Sequence, residues 1–135
     1  MKNAIPIVKE SYTRCIPKDV IGRFYDIFLK SNQSIAPMFA KTDFTVQKDL
    51  LRHGIHLAIM FANGEYLGKS GIERIRKSHS KAGMNVNPNL YRYWKASFLQ
   101  AISETDSEFS EQIRKAWDSV LQQTIDYIIE GYDAP

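Results

Sequence analysis

One histidine, His79, has the placement in this chain that points most directly to chemistry. Ile72, Ile75 and His79 are spaced i, i+3 and i+7, which at about 100° per residue puts them on one side of a helix. An imidazole on an apolar stripe needs a partner for its ring nitrogens, because burial of an unpaired polar group is costly. A metal ion is one such partner. A core histidine that hydrogen-bonds a backbone carbonyl, or one at the edge of the stripe, is the other interpretation.

The elements that must position this histidine are predicted to be helices. Glycines and prolines divide the chain, and strand-like alternation bounded by hairpin turns is missing, which predicts an all-α fold of about six main helices. An all-helical domain of this size that buries a histidine suggests a pocket between helices. The expected helices are 5–15, one with Pro17 in its first turn, 45–62 with Thr45 as N-cap, one from about 69–71 to before Gly83, one opened by Asn87-Pro88, and a last one capped by Ser107.

Length and composition are those of one soluble globular domain over residues 1–135. The chain is 44% hydrophobic and 24% charged, and its single cysteine, Cys15, precludes an internal disulfide. No signal peptide and no apolar run of about 20 residues is present, so we expect a cytoplasmic protein without a membrane span. GxGxxG, GxxxxGK[ST], HExxH and GxSxG motifs are absent from the sequence, and the carboxylates do not suggest a paired active site.

Six short segments occur in an order, and at spacings, that resemble one family. They are Phe24-Tyr25, Ala36-Pro37-Met38-Phe39, residues 50–57, residues 78–83, Tyr91 and Ala116-Trp117. The set resembles that of bacterial single-domain globins and of the globin domains of bacterial haem-based sensors, and it covers about residues 5–129. The resemblance implies a globin fold around a haem pocket, with haem b (iron protoporphyrin IX) as cofactor and His79 as the iron ligand.

The same resemblance implies roles for the residues around the iron. Haem iron takes an imidazole on one axial side and leaves the other side open for a gas. Phe39 is expected to lie against the porphyrin face, and Tyr25 to donate a hydrogen bond to bound oxygen. The second nitrogen of His79 needs an acceptor, which Tyr91 or a carbonyl near Lys77 would provide.

The sequence does not decide which residue of the expected helix 45–62 lies over the iron on the side where the gas binds. His53 lies at the edge of the apolar side of its helix and is one candidate; a different register puts Gln47 or Leu50 there instead. Leu57 is expected to form the apolar wall of the pocket, and His56 falls on the polar side.

A basic cluster surrounds His79 and admits three interpretations: a solvated helix surface, a nucleic-acid site, or partners for the two haem propionates. Its members are Arg74, Arg76, Lys77 and Lys81. A net charge of +3 without aromatic-basic interleaving does not indicate nucleic-acid binding. The sequence also departs from the family in one respect. In the family, a carboxylate of the last helix often forms a hydrogen bond on the side of the haem where the histidine ligates iron. This chain has no clear counterpart, since Asp126 and Glu130 are near the position but neither occupies it.

These features lead to three hypotheses of function. The first is reversible binding of O₂, NO and CO at a five-coordinate haem, in oxygen transport, storage or NO scavenging, where NO oxidation would require a partner reductase and no other enzymatic activity is expected. The second is a gas-sensor module that signals to a separate partner protein. The third is a haem-free interaction domain, against which His79 argues. A homodimer is compatible with the first two.

Overall fold

Six α-helices and three short 3₁₀ turns form the structure, a computed structural model that describes residues 3–134. Within that range no strand is formed, which confirms the predicted all-α fold and the number of main helices. No helix of the described range has the length and apolarity needed to cross a membrane. The helices are α1 Ala4–Cys15, α2 Val20–Ser31, α3 Phe44–Ala62, α4 Tyr66–His79, α5 Tyr91–Thr105 and α6 Glu111–Glu130, and the 3₁₀ turns are Ile16–Lys18, Ala36–Phe39 and Pro88–Leu90.

The beginning of α2 differs from the prediction. Pro17 lies in the 3₁₀ turn that precedes α2, and it is not in the first turn of the helix. Asp19 follows with a left-handed backbone, at φ 51°, and its side chain accepts a hydrogen bond of 3.2 Å from the amide of Gly22. The carboxylate cap therefore sets the start of the helix, because it satisfies an amide that has no partner inside the helix.

The starts of three other helices also differ from the prediction. Asp43, and not Thr45, caps α3, with its side chain accepting from the Thr45 amide at 3.0 Å. Ser110, and not Ser107, caps α6, since Asp106 already organises the turn around Ser107 by accepting from the Glu108 amide. Helix α4 begins at Tyr66, ahead of the predicted 69–71. For α3 and α6 a neighbouring residue with the same capping chemistry took the place of the predicted one. The residue before α4, Glu65, makes no side-chain capping bond.

The main core packs α1, α2, α5 and α6 around large aromatic side chains. Trp117 and Phe98 are fully buried, with ring centroids 5.4 Å apart, and Trp94 stacks on Phe98 at 5.5 Å. The indole N–H of Trp117 donates to the hydroxyl of Ser11 at 2.9 Å. A buried indole thus has the partner that its donor requires, and it ties α6 to α1.

A buried carboxylate joins α1 to the corner between α5 and α6. The side chain of Asp106 has no solvent exposure and accepts from the Ser11 hydroxyl at 2.6 Å and from Arg14 Nε at 2.5 Å. A carboxylate withdrawn from water is tolerated only with such complete pairing.

Helices α3 and α4 form an antiparallel hairpin that is tightly closed near its turn. A Cβ on Gly71 would lie 2.5 Å from Cδ2 of Leu57, and one on Gly68 would overlap the backbone of Phe61. Glycine at these two positions therefore lets the helices approach closely. Further from the turn the packing is looser, since a Cβ on Gly54 would meet no atom within 4 Å and the side chain of Leu50 is 60% exposed. We call this looser part of the hairpin, around Gly54 and Leu50, its open end.

Candidate functional site

The register of the hairpin places the first half of α3 opposite the end of α4. Phe61 meets Gly68 and Leu57 meets Gly71, so a step back along α3 corresponds to a similar step forward along α4. Continued at the same rise per residue, this register brings residues 47–51 across from His79. The open end of the hairpin thus lies between these residues and the histidine.

Tyr25 and Gln47 meet on the α3 side of this opening. Tyr25, on α2, is 4% exposed, and its hydroxyl oxygen accepts a hydrogen bond of 3.0 Å from Nε2 of Gln47 on α3. Burial raises the pKa of Tyr25, and the bond from Gln47 only partly offsets it, so the phenol is neutral at pH 7. Because its oxygen accepts from Gln47, its O–H is left to donate to another group.

Phe39 lies beside Tyr25, at the end of the 3₁₀ turn that follows α2. Its ring centroid is 6.2 Å from that of Tyr25, 6.1 Å from that of Phe28 and 6.0 Å from that of Phe44. Phe39 is half-buried, so part of its ring is covered by this aromatic group and part of it is exposed. The arrangement offers an aromatic surface next to a phenolic donor.

His79 is the last residue of α4 and is half-buried. Its Nδ1 lies 3.0 Å from the carbonyl oxygen of Ile75, and 3.0 Å from the hydroxyl of Ser78. Burial lowers the pKa of His79, with the Ile75 bond acting in the opposite direction, so the ring is neutral near pH 7. When Nδ1–H donates to the carbonyl, Nε2 carries the lone pair that a metal requires. The acceptor is therefore a carbonyl two residues from Lys77, which was one of the two predicted partners.

Tyr91, the other predicted partner, belongs to a second apolar cluster. Leu57, Ile72 and Ile128 form the buried part of this cluster, against which Tyr91 and Ile75 both pack. Burial raises the pKa of Tyr91 to about 12. Tyr91 thus lies near α4, but Nδ1 of His79 is hydrogen-bonded to the Ile75 carbonyl of its own helix.

Three other residues were singled out from the sequence. Leu57 is buried against Gly71 and packs with Ile72 and Ile75, and its role as the apolar wall of a pocket stays a prediction. His53 is exposed, and it is about 120° around α3 from Gln47, the residue that reaches Tyr25. His56 is exposed as predicted, with its ring centroid 5.6 Å from that of Tyr12. Of the open alternatives, the structure thus brings Gln47, and not His53, to Tyr25. Counting residues outward from the α3–α4 turn would have favoured Gln47 and Leu50 over His53, since it brings residues 47–51 to the level of His79.

The basic cluster is divided between two surroundings. Arg76 points to α6, where Nη1 donates to the carbonyl of Tyr127 at 2.9 Å. Arg74, Lys77 and Lys81 are exposed. Neither carboxylate considered for the proximal side is buried: Asp126 and Glu130 are both exposed, and Asp126 accepts from Gln122 on its own helix.

The donor set at the site suits a metal whose other ligands come from outside the protein. Within residues 3–134 there is no group of three or more histidine, cysteine, aspartate or glutamate side chains that could hold an ion. A lone imidazole holds a metal firmly when a macrocycle fills the remaining positions. Four large apolar side chains within five residues of Phe39, Gln47 or His79 are at least half exposed and so are available to a flat apolar ligand: Met38 (50%), Val46 (55%), Leu50 (60%) and Met84 (64%).

The structure is similar to the crystal structure of protein PA3967 from Pseudomonas aeruginosa PAO1, which is described as structurally highly homologous to a human haemoglobin. The TM-score is 0.91 at 36% sequence identity, and the alignment covers 96% of this chain and 98% of the other. No protein-family model matches the chain, and no curated protein matches it either. Identity at this level over nearly the full length of both chains indicates common descent as well as a common fold.

Proposed function

Because the chain belongs to the globin family, we propose that it binds one haem b in the opening between α3 and α4, and that it binds O₂, NO and CO reversibly there. The family membership agrees with the resemblance seen in the sequence. Two of the predicted site residues, Tyr25 and Phe39, are neighbours. The proposal is supported by the hairpin register, which when extended from Gly68 and Gly71 brings residues 47–51 to the level of His79, and by Gln47, which lies in that stretch and bonds Tyr25.

One observation carries most of the proposal: His79 is held by the carbonyl of Ile75 with its other ring nitrogen unengaged by that bond. This hydrogen bond selects the tautomer that ligates through Nε2, and it raises the basicity of that nitrogen. The lowered pKa of His79 acts in the same direction, since a protonated imidazole cannot bind a metal.

Bound haem would supply an iron at which a diatomic gas can bind reversibly. Tyr25 would act on that gas through its O–H, which the bond from Gln47 leaves able to donate. A donor near the outer atom favours O₂, which becomes polarised, over CO, which does not. Phe39 would cover one part of the porphyrin face and exclude water from it.

The exposed apolar side chains of Met38, Val46, Leu50 and Met84 would offer contact to the haem. The two propionates call for cations, and Lys77 and Lys81 are exposed, each two residues from His79. Arg74 lies five residues before His79, and we do not assign it to a propionate. Arg76 is engaged with α6, so we do not assign it to a propionate.

Slow release of O₂ is expected from the Tyr25 donor, which suits storage, or the removal of NO with a partner reductase, better than rapid transport. The rate of O₂ dissociation separates these uses, since a transporter must unload its ligand within its transit time.

The test is a titration of the purified protein with haemin, followed by the visible spectrum of the reduced protein with and without O₂ and CO. We expect a Soret band and one haem per chain. His79→Ala should abolish the band or weaken it strongly, whereas His53→Ala, a histidine removed from the exposed face of α3, should leave it unchanged. A protein that stays colourless, or a His79→Ala variant with full absorbance, would refute the proposal.

A further inference from the structure

The residue that orients His79 is itself held by another helix. The carbonyl that accepts from His79 belongs to Ile75, whose side chain packs with Tyr127 against Leu57, Ile72 and Ile128. The position of the Ile75 carbonyl therefore depends on how α4 sits on α6.

On the N-terminal side of His79, one tyrosine of α6 makes contacts with two residues of α4. The hydroxyl of Tyr127 donates to the carboxylate of Glu73. The guanidinium of Arg76 lies 4.4 Å from the centroid of the Tyr127 ring, and Nη1 donates to the Tyr127 carbonyl at 2.9 Å. A cation over a ring and a hydrogen bond to the same residue together fix both the distance and the orientation of the two helices.

On the C-terminal side of His79, the residues after α6 hold the loop that follows α4. The Lys81 amide donates to the Tyr132 carbonyl at 2.8 Å, and the Tyr132 hydroxyl donates to the side-chain oxygen of Asn85. Gly131 lets the end of α6 come close to Arg76 of α4, since a Cβ at position 131 would overlap the Arg76 side chain. His79 is thus bracketed in sequence by contacts to the same short segment.

We infer that residues 127–132 form a clasp that positions His79, with Arg76 and Tyr127 as its positioning residues. This rests on the proposed function, because the position of His79 matters chemically only if the histidine ligates iron. The clasp holds α4 through the contacts of Tyr127 with Glu73 and Arg76, and it holds the following loop through the bond from the Lys81 amide to Tyr132. By fixing α4 it fixes the Ile75 carbonyl, which sets the direction of the His79 imidazole. Loosening the clasp should change the iron–histidine bond without removing the histidine.

The experiment compares four variants of the full chain, each loaded with haemin and reduced without a gas ligand. Arg76→Gln and Tyr127→Phe remove the stacked cation and the hydroxyl that donates to Glu73. Arg76→Lys keeps the charge but loses the planar guanidinium, and it serves as the milder change if Arg76→Gln folds poorly. Arg74→Gln is the matched control, with the same charge loss on an exposed residue of the same helix. The readout is the iron–histidine stretching band in the resonance Raman spectrum.

We expect this band to shift and broaden in Arg76→Gln and Tyr127→Phe, to move in the same direction by less in Arg76→Lys, and to stay unchanged in Arg74→Gln. In the haem-free protein, hydrogen exchange at the Lys81 amide should become about tenfold faster in Arg76→Gln than in Arg74→Gln, because loosening one side of the clasp frees the other.

Two results would overturn the inference, and they are distinguishable. If every variant binds haemin with the band of the unaltered protein, the clasp does not position His79 while the proposed function stands. If the unaltered protein takes up no haemin, the proposed function fails and the inference fails with it.

Discussion

The side-chain amide of Gln47 donates a hydrogen bond of 3.0 Å to the hydroxyl oxygen of Tyr25, and it joins α3 to α2 on one side of the opening between α3 and α4. The direction of this bond decides what the phenol can do. Since Gln47 occupies a lone pair of the oxygen, the proton of the hydroxyl is available to a ligand, and Tyr25 becomes an oriented donor in a largely apolar surrounding.

Tyr25→Phe should therefore release O₂ faster by about tenfold or more, because a hydrogen bond to a polarised ligand is worth on the order of 1.5–3 kcal/mol. Release of CO should barely change, as CO develops little negative charge. Stopped-flow displacement of each gas measures both rates. Equal acceleration of the two would indicate that the substitution merely opened the pocket.

Gln47→Leu should speed O₂ release by a smaller factor, roughly threefold, because Tyr25 remains but is no longer held in one orientation. His53→Leu provides the matched comparison on the same helix, and we expect no change from it since His53 is exposed. A larger effect from His53→Leu than from Gln47→Leu would reverse our assignment of the distal residue.

Two helical glycines should respond in opposite directions to alanine. Gly54→Ala should stabilise the haem-free protein by about 0.5–1 kcal/mol, since the new methyl group meets no atom within 4 Å and alanine is the better helix former. Gly71→Ala should destabilise it by about 1–2 kcal/mol, because the methyl group would press on the buried side chain of Leu57. Urea denaturation measures both changes, and a gain in stability from Gly71→Ala would mean that the hairpin is not closed at this point.

Acid stability should depend on Asp106. Burial raises the pKa of this carboxyl, but hydrogen bonds from Arg14, Ser11 and the Glu108 amide have the larger, opposite effect. Together they lower the pKa to about 2. The folded state therefore binds the proton of this carboxyl more weakly than the unfolded chain does. Above pH 4 the carboxylate contributes about 2 kcal/mol to the free energy of unfolding, and this contribution is lost as the pH falls from 4 to 2.

Asp106→Asn should accordingly lower the free energy of unfolding at pH 7 by about 2 kcal/mol and flatten its dependence on pH between 4 and 2. Asp26→Asn removes an exposed carboxylate and is the control. Denaturation at a series of pH values gives both curves. An unchanged slope in Asp106→Asn would show that other carboxyls govern acid unfolding.

The helices and the placement of His79 on one of them were predictable because their signals are local. An apolar stripe and the glycines and prolines between segments are enough to predict six helices, and the residues Ile72, Ile75 and His79 do share one helix as predicted. The caps were less predictable, since Asp43 and Ser110 compete with nearby residues that have the same capping chemistry.

Which residue of α3 meets Tyr25 depended on a non-local quantity, the register between the helices. Periodicity assigns Gln47, Leu50 and His53 to one helix but does not say which of them meets α2. The register follows from Gly68 and Gly71, whose missing side chains fix where the two helices touch. The acceptor for His79 was missed as a specific residue for a related reason, because a backbone carbonyl carries no mark in the sequence.

The exposed side chains of Met38, Val46, Leu50 and Met84 have a consequence for producing this protein. Without the proposed haem, the polypeptide exposes these four apolar side chains to the solvent, and contiguous exposed apolar surface promotes self-association. Cells that make the chain faster than they supply iron porphyrin should accumulate it in inclusion bodies, and the soluble yield should rise when a porphyrin precursor is added to the culture medium.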